Sequence, residues 1–276
     1  MKSISLDIAH ALDENFLKIL KESGFSGIDL GLNNQIMATD AFKGTIETVR
    51  ELFDLNRLIC SQVHLPYYNI FDSSELYDDE KEAEIKNAFE AMAILGAKWG
   101  AYHPMSATNY EYDRKRAMND NREKLKKYLE TASKFNVGIA VENLTIFPDC
   151  SQYRFFTYDE DDHIELVDSL NSELIAICWD FGHSNLMKYD MAQVLDKLGD
   201  RIKITHVHDN TKMCDLHICP GIGKINWESV MPILKKHHYS GPVNLELELS
   251  YIHPEILREY LNMCSKMAGY LENFIN

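Results

Sequence analysis

The sequence predicts an α/β chain folded as a single (β/α)8 TIM barrel, one domain over residues 1–276. Three observations predict it. Eight short apolar, β-branched runs alternate with longer segments of helical period from end to end. No Pro-, Gly- or Ser-rich linker breaks that rhythm. The length, 276 residues, suits one barrel of about 250 residues.

The strand candidates, in order, are ISLDIA (4–9), GIDLGL (27–32), ICSQVHLP (59–66), WGAYHP (99–104), GIAVENL (138–144), IAICWDFG (175–182), IKITHVH (202–208) and VNLELEL (243–249). A helical segment follows each. In EKEAEIKNAFEAMAILG, Ile85, Phe89 and Met92 share one face, and Gly96 supplies a left-handed C-cap. In the seventh helix, WESVMPILKK, Pro232 predicts a kink or a late start. The last helix should start at Pro254, favoured in a first turn, with Leu257, Leu261, Cys264, Met267 and Leu271 on one stripe. A doubly wound open sheet would want a phosphate-binding glycine loop after an early strand. PGIGKIN lacks both the third glycine and the preceding strand.

Composition narrows the function classes. At 45% hydrophobic and 26% charged, the chain has ample material for a core. The 28 basic and 43 acidic residues leave a net charge of −15, which disfavours a nucleic-acid partner unless basic residues gather on one face. RKRAMNDNREKLKK (114–127) mixes acids among its basic residues at helical spacing and reads as a solvated helix face. No apolar run approaches the ~20 residues of a membrane span. The N-terminus meets Asp7 too early for a signal peptide, so a cytoplasmic location without a membrane partner is expected. The six cysteines (60, 150, 178, 214, 219 and 264) form no CxxC pair, as suits reduced core thiols. Cys214 and Cys219 flank His217, but a soft-ligand role fits less well than the carboxylate-rich set below.

In a TIM barrel, chemistry gathers at the C-terminal ends of the strands. Those ends carry His64, His103, Glu142, Asp180, His206 and Glu246 on the third to eighth strands. Six successive strands thus deliver a metal-ligand type to one rim. A carboxylate inside an apolar strand is costly to bury unpaired, and a shared cation removes that cost. Parity in VNLELEL points Leu245 and Leu247 to the helices and Asn244, Glu246 and Glu248 to the lumen, with Glu248 nearer the mouth. It also puts His206 and His208 on one face, His208 farther out and suited to substrate contact or support. Two motifs add to the set: Asp180-x-x-His183 in WDFGHSN, and Asp215-x-His217 ahead of a glycine turn in DLHICPGIG. A helix cap or surface histidine for the first, and a polar loop for the second, stay open as readings.

In their order along the chain, VHLPYYN, YHP, AVENL, WDFGHSNL, HVHDN, DLHICPGIG and GPVNLELE resemble the xylose isomerase-like TIM-barrel superfamily. That superfamily includes sugar and sugar-phosphate isomerases and epimerases, inosose-type dehydratases and the apurinic-site endonucleases. The resemblance implies one divalent metal held by Glu142, Asp180, His206 and Glu246. It also implies an acid/base role for Glu142 and Glu246, and a substrate contact for His183. Its endonuclease branch implies three zinc ions on His64, His103, Glu142, Asp180, His183, His206, Asp215, His217 and Glu246. All nine residue types are present. The loop between His206 and Asp215, however, looks shorter than that branch's pattern and lacks its arginines.

The leading expectation is an isomerase or epimerase acting on a sugar, sugar phosphate or polyol through a metal-bound enediolate. Mn²⁺, Co²⁺ or Mg²⁺ suits two carboxylates and a hard-oxygen substrate, with Zn²⁺ open because of the imidazoles. The alternatives are a zinc phosphodiesterase acting at abasic DNA sites, and a barrel that binds a sugar or metal without catalysis. Substrate selection is expected in the loops, with Arg154 and Tyr67 as candidate contacts. Isomerase, epimerase and dehydratase chemistry, and a homo-oligomeric state, stay open at this point.

Overall fold

Strand β1 (Lys2–Leu6) ends where Asp7 turns its carboxylate back onto the His10 N–H and caps the short helix Ile8–Ala11. The first strand is therefore earlier and shorter than the apolar run 4–9 predicts, because a helix cap competes for its last residues. The computed structural model describes residues 1–32, 34–67, 79–106, 113–145, 156–187 and 189–276. Seven more strands follow: β2 (Gly27–Gly31), β3 (Ile59–His64), β4 (Trp99–Tyr102), β5 (Gly138–Glu142), β6 (Ile175–Asp180), β7 (Ile202–His206) and β8 (Val243–Leu245).

All pairings are parallel, in the order β7-β6-β5-β4-β3-β2-β1-β8. Past the end of β7, Val207 closes the ring: its N–H donates to the Asn244 carbonyl, and its own carbonyl accepts from Glu246 N–H. Eight parallel strands with helices between them make a single (β/α)8 barrel. The β8 ladder stops at Leu245, four residues short of the predicted end, since Glu246 pairs only with the Val207 bridge.

The helices pack outside the ring. Ile85, Phe89 and Met92 are buried on the helix Asp79–Leu95, and Gly96 takes a φ of +78° beyond it. The helix Trp227–Lys236 begins five residues before Pro232, so the late start does not occur. The proline only withholds the N–H that Glu228 would otherwise receive. Pro254 opens a 3₁₀ turn, and the α-helix proper runs Leu257–Glu272 with Leu261, Cys264 and Leu271 buried. The basic stretch forms the helix Arg114–Phe135. Its cations meet acids: Arg114 with Asp162 and Glu165, Arg116 with Asp120, and Lys124 with Glu82.

Inside the ring, Ala101, Ala140, Ala176, Cys178 and Ile204 form their own small apolar cluster. Two residues farther along β4 to β7 come His103, Glu142, Asp180 and His206. With a side-chain period of two, both rows face the lumen. Small side chains thus plug the barrel and the ionisable row sits directly above them, at the C-terminal rim. Cys60, Cys178, Cys219 and Cys264 are buried free thiols and Cys214 is exposed; Cys150 lies outside the described residues. Among the described residues, no helix is long and apolar enough to cross a membrane.

Candidate metal centre

Three carboxylates converge on one imidazole nitrogen. His206 Nδ1 lies 3.3 Å from Glu142 Oε2, 3.4 Å from Glu246 Oε2 and 3.9 Å from Asp180 Oδ2. Glu142, Asp180 and His206 are buried, whereas Glu246 keeps 19% of its side chain exposed. Glu142 Oε2, Glu246 Oε2 and His206 Nδ1 have no hydrogen-bond partner among the described residues. Buried polar atoms left without partners cost free energy, and a cation at their centre would remove that cost for all of them. The donor set, one imidazole and three carboxylates, suits a divalent ion of borderline or hard character.

The other nitrogen of His206 faces a carboxylate, although it too has no hydrogen-bond partner among the described residues. Its Nε2 lies 3.3 Å from Asp29 Oδ2 on β2. That oxygen also accepts from Ser5 Oγ at 2.8 Å, Asn244 Nδ2 at 2.9 Å and Gln62 Nε2 at 3.3 Å. A carboxylate behind an imidazole fixes its tautomer and raises its basicity, which frees Nδ1 for a ligand. Asp180 has the reverse arrangement: His208 Nε2 sits 3.1 Å from both its oxygens. His208 is fully buried, with its ring stacked 3.9 Å from that of His217. Gly182 makes room for it, since a Cβ there would lie 1.8 Å from His208 Cε1. Between β5 and β6, Asn143 clamps the two strand ends, accepting from Asp180 N at 2.7 Å and donating to the Asp180 carbonyl at 2.9 Å.

Two further clusters flank this one. His64 Nε2 and His103 Nε2 stand 3.2 Å apart, and 3.4 and 3.3 Å from Glu142 Oε2. On the other side, His183 Nε2 and His217 Nε2 lie 3.2 and 3.1 Å from Asp215 Oδ2. In each group the candidate ligand atoms lie within 4.8 Å of one another. His183 Nδ1 meets the Asn143 carbonyl at 2.9 Å and Glu142 Oε1 at 3.3 Å, so that the residue links two clusters. It also donates its backbone N–H to Asp180 Oδ1, which caps the short helix Phe181–Leu186.

The electrostatics follow from burial and proximity. Burial alone would raise the Glu142 carboxyl, but His206 and His103 outweigh it and hold it well below the usual range. Burial opposes charge on His183 and His206 too, yet both are held well above the usual imidazole range, His183 by Asp180, Asp215 and Glu142, and His206 by Cys178, Glu246 and Glu142. For His103 burial prevails and the pKa falls. His217, less deeply set, is opposed by burial but pushed up to about 9 by Asp215 and Glu246.

A cleft of about 660 Å³ opens beside the centre and is bordered by Asp29, His64, Tyr67 and Glu246. The Tyr67 ring packs 4.4 Å from His64 and 5.0 Å from His103, with 49% of the residue exposed. Arg154 lies outside the described residues. Asp29, Asn143 and Asp209 are the site residues that reading only strand ends misses. Each left a signal: an acid within the apolar run GIDLGL, a polar residue after VE, and an acid three places past His206.

Among curated proteins, an uncharacterised protein of Methanocaldococcus jannaschii is 26% identical over 193 residues, 68% of this chain and 63% of its own length. D-psicose 3-epimerase of Enterocloster bolteae is 28% identical over 156 residues, 55% of this chain and 47% of its own. Such matches span between 33% and 63% of the curated relatives' length. A D-tagatose 3-epimerase-like protein superposes with a TM-score of 0.75 at 18% identity, covering 100% of both chains. The IolI protein with a bound zinc atom gives 0.69 at 17% identity, over 100% of this chain and 98% of its own. The description "Xylose isomerase-like TIM barrel" matches residues 17–267. Nearly the whole barrel lies within that stretch, and the chain belongs to the xylose isomerase-like TIM-barrel family.

Proposed function

We propose that the chain is a divalent-metal-dependent sugar isomerase or epimerase with Glu142 and Glu246 as its acid/base pair. One observation carries the reading: the carboxylates of Glu142, Asp180 and Glu246 converge on His206 Nδ1 beside an open cleft. The epimerase names among the relatives support the same class. Glu142, Asp180, His206 and Glu246 would hold the ion, with Mn²⁺, Co²⁺, Mg²⁺ and Zn²⁺ all compatible with the donors. When bound, such an ion polarises a sugar carbonyl and its neighbouring hydroxyl, which acidifies the adjacent C–H.

The residues do the proton work. Glu142, held ionised by the histidines around it, takes the C–H proton, and the bonding pair passes into the enediolate of the sugar. Glu246 borders the cleft, can be reprotonated from solvent, and returns a proton. Delivery to the opposite face of the same carbon gives the epimer, and delivery to the neighbouring carbon gives the isomer. Asp29 and His208 orient His206 and Asp180, His183 meets a substrate oxygen, and Tyr67 walls the cleft. The barrel acts as one domain. Arg154 remains a proposed contact for a phosphate or carboxylate.

A second reading, the three-zinc phosphodiesterase, is favoured by the two flanking clusters, which complete its nine-residue set. Metal analysis of the purified protein, with assays on ketohexoses and on abasic-site DNA, tests both. About one exchangeable ion with sugar turnover supports the first reading. Three tightly held zinc ions with strand cleavage would overturn it.

A further inference from the structure

We propose that Cys178 is a further, soft donor to the metal centre, so that the site selects Zn²⁺ or Co²⁺ over Mn²⁺ and Mg²⁺. The proposal rests on the metal-dependent reading above and narrows the identity of its ion.

Cys178 lies directly beneath the ionisable row. It stands two residues before Asp180 on β6, and the β5–β6 ladder sets it opposite Glu142. With a side-chain period of two it faces the lumen, as those carboxylates do. Its neighbours in the barrel plug are Ala101, Ala140, Ala176 and Ile204, none of which can bind an ion. A plug needs only small apolar bulk, which alanine supplies on β4 and β5. Cys178 adds a polarisable sulfur where the plug meets the ligands.

The geometry brings that sulfur within reach of an ion. Glu142, Cys178 and His206, all buried, each offer one ligand atom within 4.8 Å of the others. Donors about 2.0–2.3 Å from a shared ion span up to roughly 4.5 Å, close to that separation. Independently of the thiol, Glu142 Oε2 and His206 Nδ1 are buried with no hydrogen-bond partner among the described residues. A thiol is too weak a donor to satisfy both, whereas a cation among the three would. Burial, with Glu142 and Asp180 nearby, pushes the thiol up to about 12, so the metal-free site holds a neutral S–H. A bound cation displaces that proton to solvent, and the sulfur ligates as the thiolate.

The donor type sets the preference. Mg²⁺ keeps to oxygen ligands, while imidazole with carboxylates accepts Mn²⁺, Co²⁺ and Zn²⁺ alike. A thiolate breaks that tie, because sulfur favours Zn²⁺ and disfavours Mn²⁺ and Mg²⁺.

Titration of the metal-free protein with Co²⁺, followed by absorption, tests the donor. Bound cobalt gives visible bands with any ligands, and sulfur ligation should add a charge-transfer band in the near ultraviolet. That band should vanish in Cys178→Ser and in Cys178→Ala, while the visible bands persist. In chelator competition the preference for Zn²⁺ over Mn²⁺ should fall about tenfold or more in both variants. A crystal of the cobalt-loaded protein, with the ion located from its anomalous signal, reads the same contact without a substitution. Visible bands without the charge-transfer band, a band that survives both substitutions, or an ion out of bonding reach of Cys178 Sγ overturns the sulfur donor and leaves the carboxylate centre standing. An unchanged Zn²⁺ preference in the variants overturns the selectivity. Failure of the protein to bind cobalt at all overturns the metal centre and the proposal together.

Discussion

Replacing Glu142 by Gln keeps the shape of the side chain and removes the charge that His64, His103, His183 and His206 surround. Turnover should fall by about 10³-fold or more in steady-state assays, as should that of Glu246→Gln, since each removes one member of the proposed acid/base pair. Turnover near the wild-type rate in either variant would refute the assignment. Asp29→Asn is milder: it can still accept from Ser5 and Asn244, but it no longer places a negative charge behind His206 Nε2. Metal affinity should drop about 10- to 100-fold in a chelator competition, with the fold unchanged by circular dichroism. Gly182→Ala tests the other support. Its Cβ would collide with the His208 ring, so the ring must leave Asp180, and metal binding should weaken.

At the scale of the element, the segment between β7 and the helix Trp227–Lys236 carries Asp215 and His217 over the mouth. Buried Asp209 holds it. Its carboxylate accepts from the N–H groups of Asn210, Gly221, Lys224 and Ile225 at 2.9, 3.0, 2.9 and 3.2 Å, and from Trp227 Nε1 at 3.0 Å. Gly223 permits the close wrap, since a Cβ there would stand 2.1 Å from Asp209 Oδ1. Asp209→Ala leaves all of these donors unpaired but Lys224 N, which also donates to the Asn210 carbonyl, and should cost on the order of 3 kcal/mol in urea unfolding. Among the three clusters, the one holding Asp215 and His217 should suffer first. A loss of metal from the central site alone would contradict that order.

For the whole molecule, a bound metal and the proton would compete for the same imidazoles. His183 and His206 are held above their usual range in the metal-free protein, so metal uptake should release protons and tighten as pH rises. His217 shows the linkage in stability. Its pKa is raised from 6.5 to about 9, so its contribution is fully present below about 6.5 and is lost as pH rises past about 9. Chelator-treated protein should therefore melt at lower temperature as pH climbs through that window. Protein loaded with metal at its histidine clusters should hold its melting point, because a bound cation takes the proton's place. Saturating metal should add about 2.7 kcal/mol of stability at 100 times its dissociation constant. Parallel melting curves with and without metal across that pH range would count against a metal at His217.

The sequence by itself determined the eight strand–helix units and the ionisable rim, for a physical reason. Side chains alternate along a strand, so Ala140 and Glu142, Cys178 and Asp180, and Ile204 and His206 had to share the lumen face once the strands were recognised. Element ends were less legible. The Asp7 cap and the single Val207 bridge, each a competition between local and tertiary hydrogen bonds, moved the bounds of β1 and β8. Only the tertiary structure decided which groups pair. Asp29 reaches His206, His208 serves Asp180, and nine residues divide into three neighbouring clusters. The cleft beside the centre has the same origin, since Phe16 and Ile252, which line it, stand at opposite ends of the chain. Such contacts join residues far apart in sequence, and they exist only once the sheet has closed on itself.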